Sequence, residues 1–427
     1  MQRTESVERI SRKPVLASII GTVVEYYDFA VYGYMATVLS TLFFSQGDPS
    51  AALLNTLATF AVAFFLRTPG GILFGHIGDR YGRRSALALT ILLMCLATLG
   101  IGLLPDYSTI GIWATVLLVL MRCLQGIAAG GELGGAVAFL AESAPARKRA
   151  LTTSLIHLGS LTGALFAALL VLGLNQAFSA QTITDWAWRL PFLVSLPLAL
   201  VGLWIRTRLA ETEQFRTSAK AESEKPPIFE VLAKNPRQLL QIFGLAALVT
   251  GGYYVAYVYG ATYLETVTGL DRGTSFLSTV ITILVSCAVL PLSGMLADRF
   301  GRKPAMLLGS ILGLALALPA FFLMSSPWLW LAVLGNVLLG VPVALCLGTV
   351  FAVFAELLGT RVRYTGIALG FNLSQMLLGG TAPYLSTWLI NSTGQALAPA
   401  WFYLACALIS LCTALTLRET KGIRLPD

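Results

Sequence analysis

Twelve stretches of apolar residues dominate the chain, at about 16–43, 52–75, 86–104, 111–142, 151–174, 188–206, 237–265, 274–297, 304–324, 327–357, 363–390 and 398–417. Each is about long enough to cross the roughly 30 Å hydrocarbon layer as a helix. Inside lipid every backbone N–H and C=O must find a partner within the protein, and long apolar segments achieve this as helices. Composition agrees. Only 12% of residues are charged and 56% are hydrophobic, whereas soluble domains run at about 25% charged. So little polarity cannot cover a water-soluble fold of 427 residues. The expected fold is therefore all-α and membrane-embedded, with twelve transmembrane helices. The first run is too long for a signal peptide and lacks a small-residue cleavage site.

The six cysteines, at 95, 123, 287, 346, 406 and 412, all lie in apolar runs without CxxC spacing. That argues against a disulfide framework or a usual zinc site. Two histidines are too few for a metal cluster, so no metal and no cofactor is expected. The net charge is +8, and all but four of the 29 Lys and Arg fall in the N-terminal tail, in alternate loops and in the C-terminal tail. The exceptions are Arg67, Arg122, Arg189 and Arg272. By the positive-inside rule both termini face the cytoplasm. The basic balance thus reports orientation in a lipid bilayer, and no nucleic-acid partner is needed to explain it.

The stretch Gly75-His-Ile-Gly-Asp79-Arg80-Tyr-Gly82-Arg83-Arg84-Ser-Ala86 recurs as Gly294-Met-Leu-Ala-Asp298-Arg299-Phe-Gly301-Arg302-Lys303-Pro-Ala305, 219 positions later. Each copy follows the second helix of a set of six. A weaker echo relates Ala141, Glu142 and Arg147 to Ala355, Glu356 and Arg361. The expected organisation is a six-helix half over 1–206, a cytoplasmic linker over 207–236 and a second six-helix half over 237–427. Parallel six-helix repeats with a site between them are a transporter architecture. Asp79 and Asp298 can accept hydrogen bonds from backbone N–H groups at positive helix N-termini. Arg80, Arg83 and Arg84 can pair with carboxylates such as Glu142.

These features resemble the major facilitator superfamily. Within it, Gly21–Gly33 (GTVVEYYDFAVYG), Phe65–Gly71 (FLRTPGG) and Arg122–Glu132 (RCLQGIAAGGE) resemble the first, second and fourth helices of the metabolite–proton symporter family. The texture is nearest to members carrying the osmoprotectants proline and glycine betaine. Other members carry 2-oxoglutarate, citrate or shikimate. Tyr26 stands where the family usually has Trp, and His157 where the osmoprotectant carriers have an acid. The resemblance implies two pseudo-symmetric halves in a bacterial-type inner membrane, a monomer, and alternating access. It also implies that the repeated loop locks the outward-open state, with Gly75, Asp79, Arg80, Gly82, Arg83, Glu142, Asp298, Arg299 and Arg302 as gating residues.

Ionisable residues in a bilayer are costly and are functional candidates by default. Glu25, Asp28, Arg67, Arg122 and Glu132 lie inside spans. Glu25 and Asp28 share a helix face. Arg122 and Glu132 are about 15 Å apart along one helix and cannot pair. Three acids face two arginines, and a buried unpaired carboxylate tends to take up a proton instead of staying charged. One of Glu25, Asp28 and Glu132 is therefore expected to carry a coupling proton. Arg122 would hold a substrate carboxylate, or an internal acid when empty, with Gln125 on its face and Arg67 as a second cation. Tyr26, Tyr27, Tyr254 and Tyr257 could hold a quaternary ammonium by cation–π attraction. Asn372 and Gln375 could line the cavity from the second half. His157 reads as a buried packing residue.

The function expected is import of a small carboxylate-bearing metabolite by symport with protons, driven by the proton gradient. A proline- or betaine-like zwitterion comes first. A di- or tricarboxylic acid is the alternative and would need further cations. A membrane-embedded enzyme is the alternative of another class, and it would require an acid cluster, a nucleophile–base pair or a phosphate-binding loop.

Overall fold

The computed structural model describes residues 12–44, 47–81, 83–130, 133–207 and 227–426. Among these, secondary structure is entirely helical. Twelve rods follow the twelve apolar runs: α1 (Arg12–Tyr34), α2 (Pro49–Tyr81), α3 (Arg83–Leu103), α4 (Ile112–Ser143), α5 (Arg149–Ala177) and α6 (180–207). The second six are α7 (Pro236–Val267), α8 (Arg272–Phe300), α9 (Arg302–Met324), α10 (Leu329–Leu357), α11 (360–393) and α12 (Pro399–Thr416). Eight of the rods are long and apolar enough to span a membrane by those criteria alone, and α6 makes a ninth when its two pieces, bent by 43°, count as one.

The rods depart from the sequence expectation in their breaks. π-helical turns interrupt α6 at Ile183–Ala187, α7 at Leu248–Gly252 and Tyr254–Tyr259, and α11 at Gln375–Gly379. Such turns are rare and gather at functional sites. The segment expected as a linker holds a short helix, Pro227–Lys234. Its Glu230 meets Lys234 at 3.0 Å and Arg361 at 3.2 Å. The Lys234 hydrogen bond, helped by Arg361, holds the Glu230 carboxyl below its ordinary range. At the opposite end of the bundle Asp271 caps α8 by accepting from the Thr274 N–H at 3.0 Å. Thr274 likewise holds this carboxyl below its usual range.

In lipid, helices associate through close packing rather than hydrophobic exclusion, so small residues mark the contacts. A Cβ on Gly126 would strike the Ala63 carbonyl, and one on Gly130 the Arg67 carbonyl. Bare backbone at these two places brings α4 against α2. Elsewhere α1 lies along α5, and α10 packs on α8 and α9. The first six rods meet the last six mainly where α5 touches α8 and α10 and where α2 touches α11.

Candidate functional site

Charges that the bilayer should exclude are gathered at mid-depth between α1, α2 and α4. Glu25 and Asp28 are each 1% exposed, Arg67 is 2% and Arg122 is fully buried. Arg67 Nη2 meets Glu25 Oε1 at 2.9 Å, and its guanidinium lies over the rings of Phe29 at 4.3 Å and Phe64 at 4.9 Å. Its Nε is buried without a hydrogen-bond acceptor. Arg122 is held differently. One nitrogen donates to Gln125 Oε1 at 2.8 Å and another to the Phe60 carbonyl at 3.0 Å, while its centre sits 4.2 Å from the Tyr32 ring. Expected to bind an internal acid, Arg122 instead has neutral acceptors.

From Gln125 the chain of donors continues. Gln125 Nε2 donates to Thr98 Oγ1 at 2.7 Å, and Thr98 donates to the Met94 carbonyl at 3.0 Å. Asp28 lies beside Thr98 and Arg122, yet both its carboxylate oxygens are buried without a hydrogen-bond partner. The one hydroxyl proton of Thr98 is already directed at Met94. Asp28 is thus one turn from an acid that is paired, and its own hydroxyl neighbour, Thr98, reaches it only by turning from Met94.

Across the seam, α7 and α11 present Tyr254 and Gln375. Gln375 Nε2 donates to the Tyr26 hydroxyl at 3.3 Å. Its Oε1 and the Tyr254 hydroxyl are buried and unpartnered. Both Tyr26 and Tyr254 lie within electrostatic reach of the Glu25–Arg67 pair. The rings of Tyr26 and Tyr253 meet edge-on at 5.5 Å, and those of Tyr253 and Tyr254 at 5.2 Å. Five side chains from four helices, Glu25, Tyr26, Arg67, Tyr254 and Gln375, therefore face one another between the two sets of six.

Three expected ligands bond to backbone outside this cluster. Tyr27 points away into packing, its hydroxyl donating to the Pro191 carbonyl at 2.6 Å. Tyr257 donates to the Gly340 carbonyl at 2.7 Å, which binds α7 to α10. Asn372 reaches the Gly130 carbonyl at 3.4 Å and ties α11 to α4. Each already has a backbone partner on a neighbouring helix, which sequence periodicity cannot reveal. His157 is buried as expected. Its Nδ1 lies 3.0 Å from the Leu347 carbonyl, so that nitrogen carries the hydrogen, and its ring stacks on Phe351 at 3.8 Å.

Among the described residues, contacts join the two sets of six at both ends of the bundle. At the end bearing the termini, Arg149 on α5 bridges to Glu356 on α10 at 2.8 Å, and Arg363 on α11 bridges to Glu142 on α4 at 2.6 Å. These crossed bridges are images of one another, 214 positions apart. Each arginine also donates through Nε to its own set's helix, at Ala141 (3.3 Å) and Ala355 (3.0 Å). Asp298 accepts from the N–H groups of Ala150 and Leu151 at 3.1 and 3.0 Å, as foreseen for a carboxylate at a helix N-terminus. Arg302 meets Asp298 at 3.0 Å and Glu356 at 3.2 Å. Arg299, expected at the gate, lies over the ring of Phe300 instead. The segment after α12 straps this clasp: Thr420 donates to Glu356 at 2.6 Å, Arg149 to the Ile423 carbonyl at 3.2 Å and Arg363 to the Pro426 carbonyl at 2.8 Å.

At the other end the Tyr34 hydroxyl donates to the Tyr257 carbonyl at 2.7 Å and Thr37 to Glu265 at 3.2 Å, while Arg272 donates to Thr37. Glu132 and Gly82 lie outside the described residues, as do the side chains of Asp79, Arg80, Arg83 and Arg84 and the surroundings of Gly75. Arg149 and Arg363 were missed. The repeat did carry their signal, an arginine seven residues after each of Glu142 and Glu356, but the echo was placed two residues early, at Arg147 and Arg361.

Comparison with known proteins agrees with this architecture. The profile described as Major Facilitator Superfamily matches residues 18–368. The proline/betaine transporter of Salmonella typhimurium is 36% identical over 421 residues, covering 96% of this chain and 84% of that one. The inner membrane metabolite transport protein YhjE of Escherichia coli is 38% identical over 418 residues, 96% and 94% of the two chains. The shikimate transporter of Escherichia coli is 34% identical over 417 residues, 96% and 95%. Among solved structures, the proton:xylose symporter XylE superposes with a TM-score of 0.77 over 97% of both chains at 20% identity, a likeness of fold alone. The chain belongs to the major facilitator superfamily and is a membrane transporter, not an enzyme.

Proposed function

We propose that the protein is a proton-coupled symporter that imports a small zwitterion bearing a carboxylate, with its basic, terminus-bearing end toward the cytoplasm. The observation that carries this reading is Asp28, a buried carboxylate unpaired with any cation, whose hydroxyl neighbour Thr98 donates to Met94, beside an arginine that donates to the neutral acceptors Gln125 and Phe60. An acid so placed is poised to gain and lose a proton as its surroundings change, which is what coupling requires. Glu25 is tied to Arg67, which favours Asp28 over it as the coupling acid.

A zwitterion is favoured over a di- or tricarboxylate because the cations are committed. Arg67 is paired with Glu25 and Arg122 is held by Gln125 and Phe60, so each keeps only its Nε without an acceptor. One carboxylate can be accommodated, and two or three would lack partners. The relatives named for proline and betaine support the same choice. The coupling test is Asp28→Asn in liposomes under an imposed pH gradient. Accumulation above equilibrium should be lost while substrate exchange persists. Undiminished accumulation by that variant would place the coupling proton elsewhere.

A further inference from the structure

The cluster of polar groups at the seam has a polarity that can be read atom by atom. Its unpartnered donors are Arg67 Nε on α2 and the Tyr254 hydroxyl on α7, with Arg122 Nε on α4 unpartnered beside them. Its unpartnered acceptor is Gln375 Oε1 on α11. Three details show that this acceptor is arranged and not accidental. The Gln375 amide is anchored from behind, its Nε2 donating to the Tyr26 hydroxyl at 3.3 Å. Gln375 opens the π-helical turn Gln375–Gly379, closed by the Gly380 N–H on the Gln375 carbonyl at 2.7 Å, and such a turn re-aims side chains relative to a regular helix. Gly379 lets the amide lie close against this turn: a Cβ there would sit 2.9 Å from Gln375 Oε1 and 3.2 Å from the Tyr254 ring.

A buried acceptor without a donor is costly, and Gln375 is 2% exposed. A ligand that completes this cluster brings an acceptor to the Arg67 and Tyr254 side and an N–H to the Gln375 side. A zwitterion whose ammonium still carries hydrogen supplies both. A fully N-methylated ammonium supplies the carboxylate but no N–H, and it leaves Gln375 Oε1 orphaned against methyl groups. We infer that Gln375 is a specificity-determining residue, selecting zwitterions with an N–H-bearing ammonium over quaternary ones. This rests on the zwitterion reading above and adds which zwitterion binds more tightly. Tyr26 and Gly379 are its positioning residues, the first fixing the amide and the second avoiding a side chain that would push its oxygen aside.

The experiment measures, with full-length protein in liposomes under a pH gradient, how well unlabelled L-proline and glycine betaine each compete for labelled uptake. Wild type should prefer proline. Gln375→Met, which keeps length but removes the acceptor, should lower the proline-to-betaine preference on the order of tenfold. Gln375→Glu keeps an acceptor and should keep the preference. Gly379→Ala, which leaves Gln375 in place and crowds its oxygen, should shift the preference in the same direction as Gln375→Met. Thermal-shift titration in detergent gives the same ratio where a variant binds but does not transport. An unchanged ratio in both Gln375→Met and Gly379→Ala, or wild type that prefers betaine, overturns the assignment while leaving the zwitterion reading intact. Wild type that takes up neither compound overturns the zwitterion reading itself, and this assignment with it.

Discussion

Glu25 and Asp28 sit one turn apart on α1 and have opposite surroundings, the first paired with Arg67 and the second unpaired with any cation. Removing one member of a fully buried pair leaves the other charge stranded, typically at about 3–5 kcal/mol. Glu25→Gln should therefore destabilise the protein on that scale in thermal unfolding, and Glu25→Gln combined with Arg67→Met should recover most of the loss. A double variant no better than the single one would show that Arg67 does more than answer Glu25. Both acids and both arginines were legible in the sequence, because a charge inside an apolar run has no other explanation. The tyrosines were not. Tyr254 faces the seam while Tyr27 and Tyr257 bond to neighbouring backbone. Rotation of one helix against the next decides which, and periodicity fixes a face without naming its neighbour.

Among elements, the crossed bridges joining α4 to α11 and α5 to α10 are symmetric in sequence and unequal in setting. The Glu356 side chain is fully buried and meets Arg149, Arg302 and Thr420. That of Glu142 is 33% exposed and meets Arg363. Exposed pairs contribute about 0–1 kcal/mol, and stranding a buried charge costs several times more. Glu356→Gln should thus depress the unfolding temperature far more than Glu142→Gln, since it leaves buried Arg149 without its acid and takes from buried Arg302 one of its two. The reverse order would mean that the clasp is held by the strap and not by the bridges. The number of rods and the repeated loop were plain from the apolar runs and the GxxxDRxGR pattern. The π-turns were not, for no residue type signals them. Nor was the helix Pro227–Lys234, which lies in charged sequence and is steadied by Glu230 with Lys234 and Arg361.

For the molecule as a whole, contacts among the described residues join the two sets of six at both ends of a central seam, and opening either end requires releasing the bonds at that end. The uneven pairing at mid-depth has an electrical consequence. The Glu25–Arg67 pair contributes no net charge, and a zwitterion adds none. If Asp28 enters protonated and returns ionised, each cycle moves one positive charge inward, and an inside-negative membrane potential assists it by about 2.3 kcal/mol per 100 mV. A potassium-diffusion potential imposed without a pH gradient should then accelerate uptake by wild type and leave exchange by Asp28→Asn indifferent. A dianionic substrate entering with a single proton would respond in the opposite sense, retarded by the same voltage. The sign of the current therefore distinguishes the two substrate classes before any binding constant is measured.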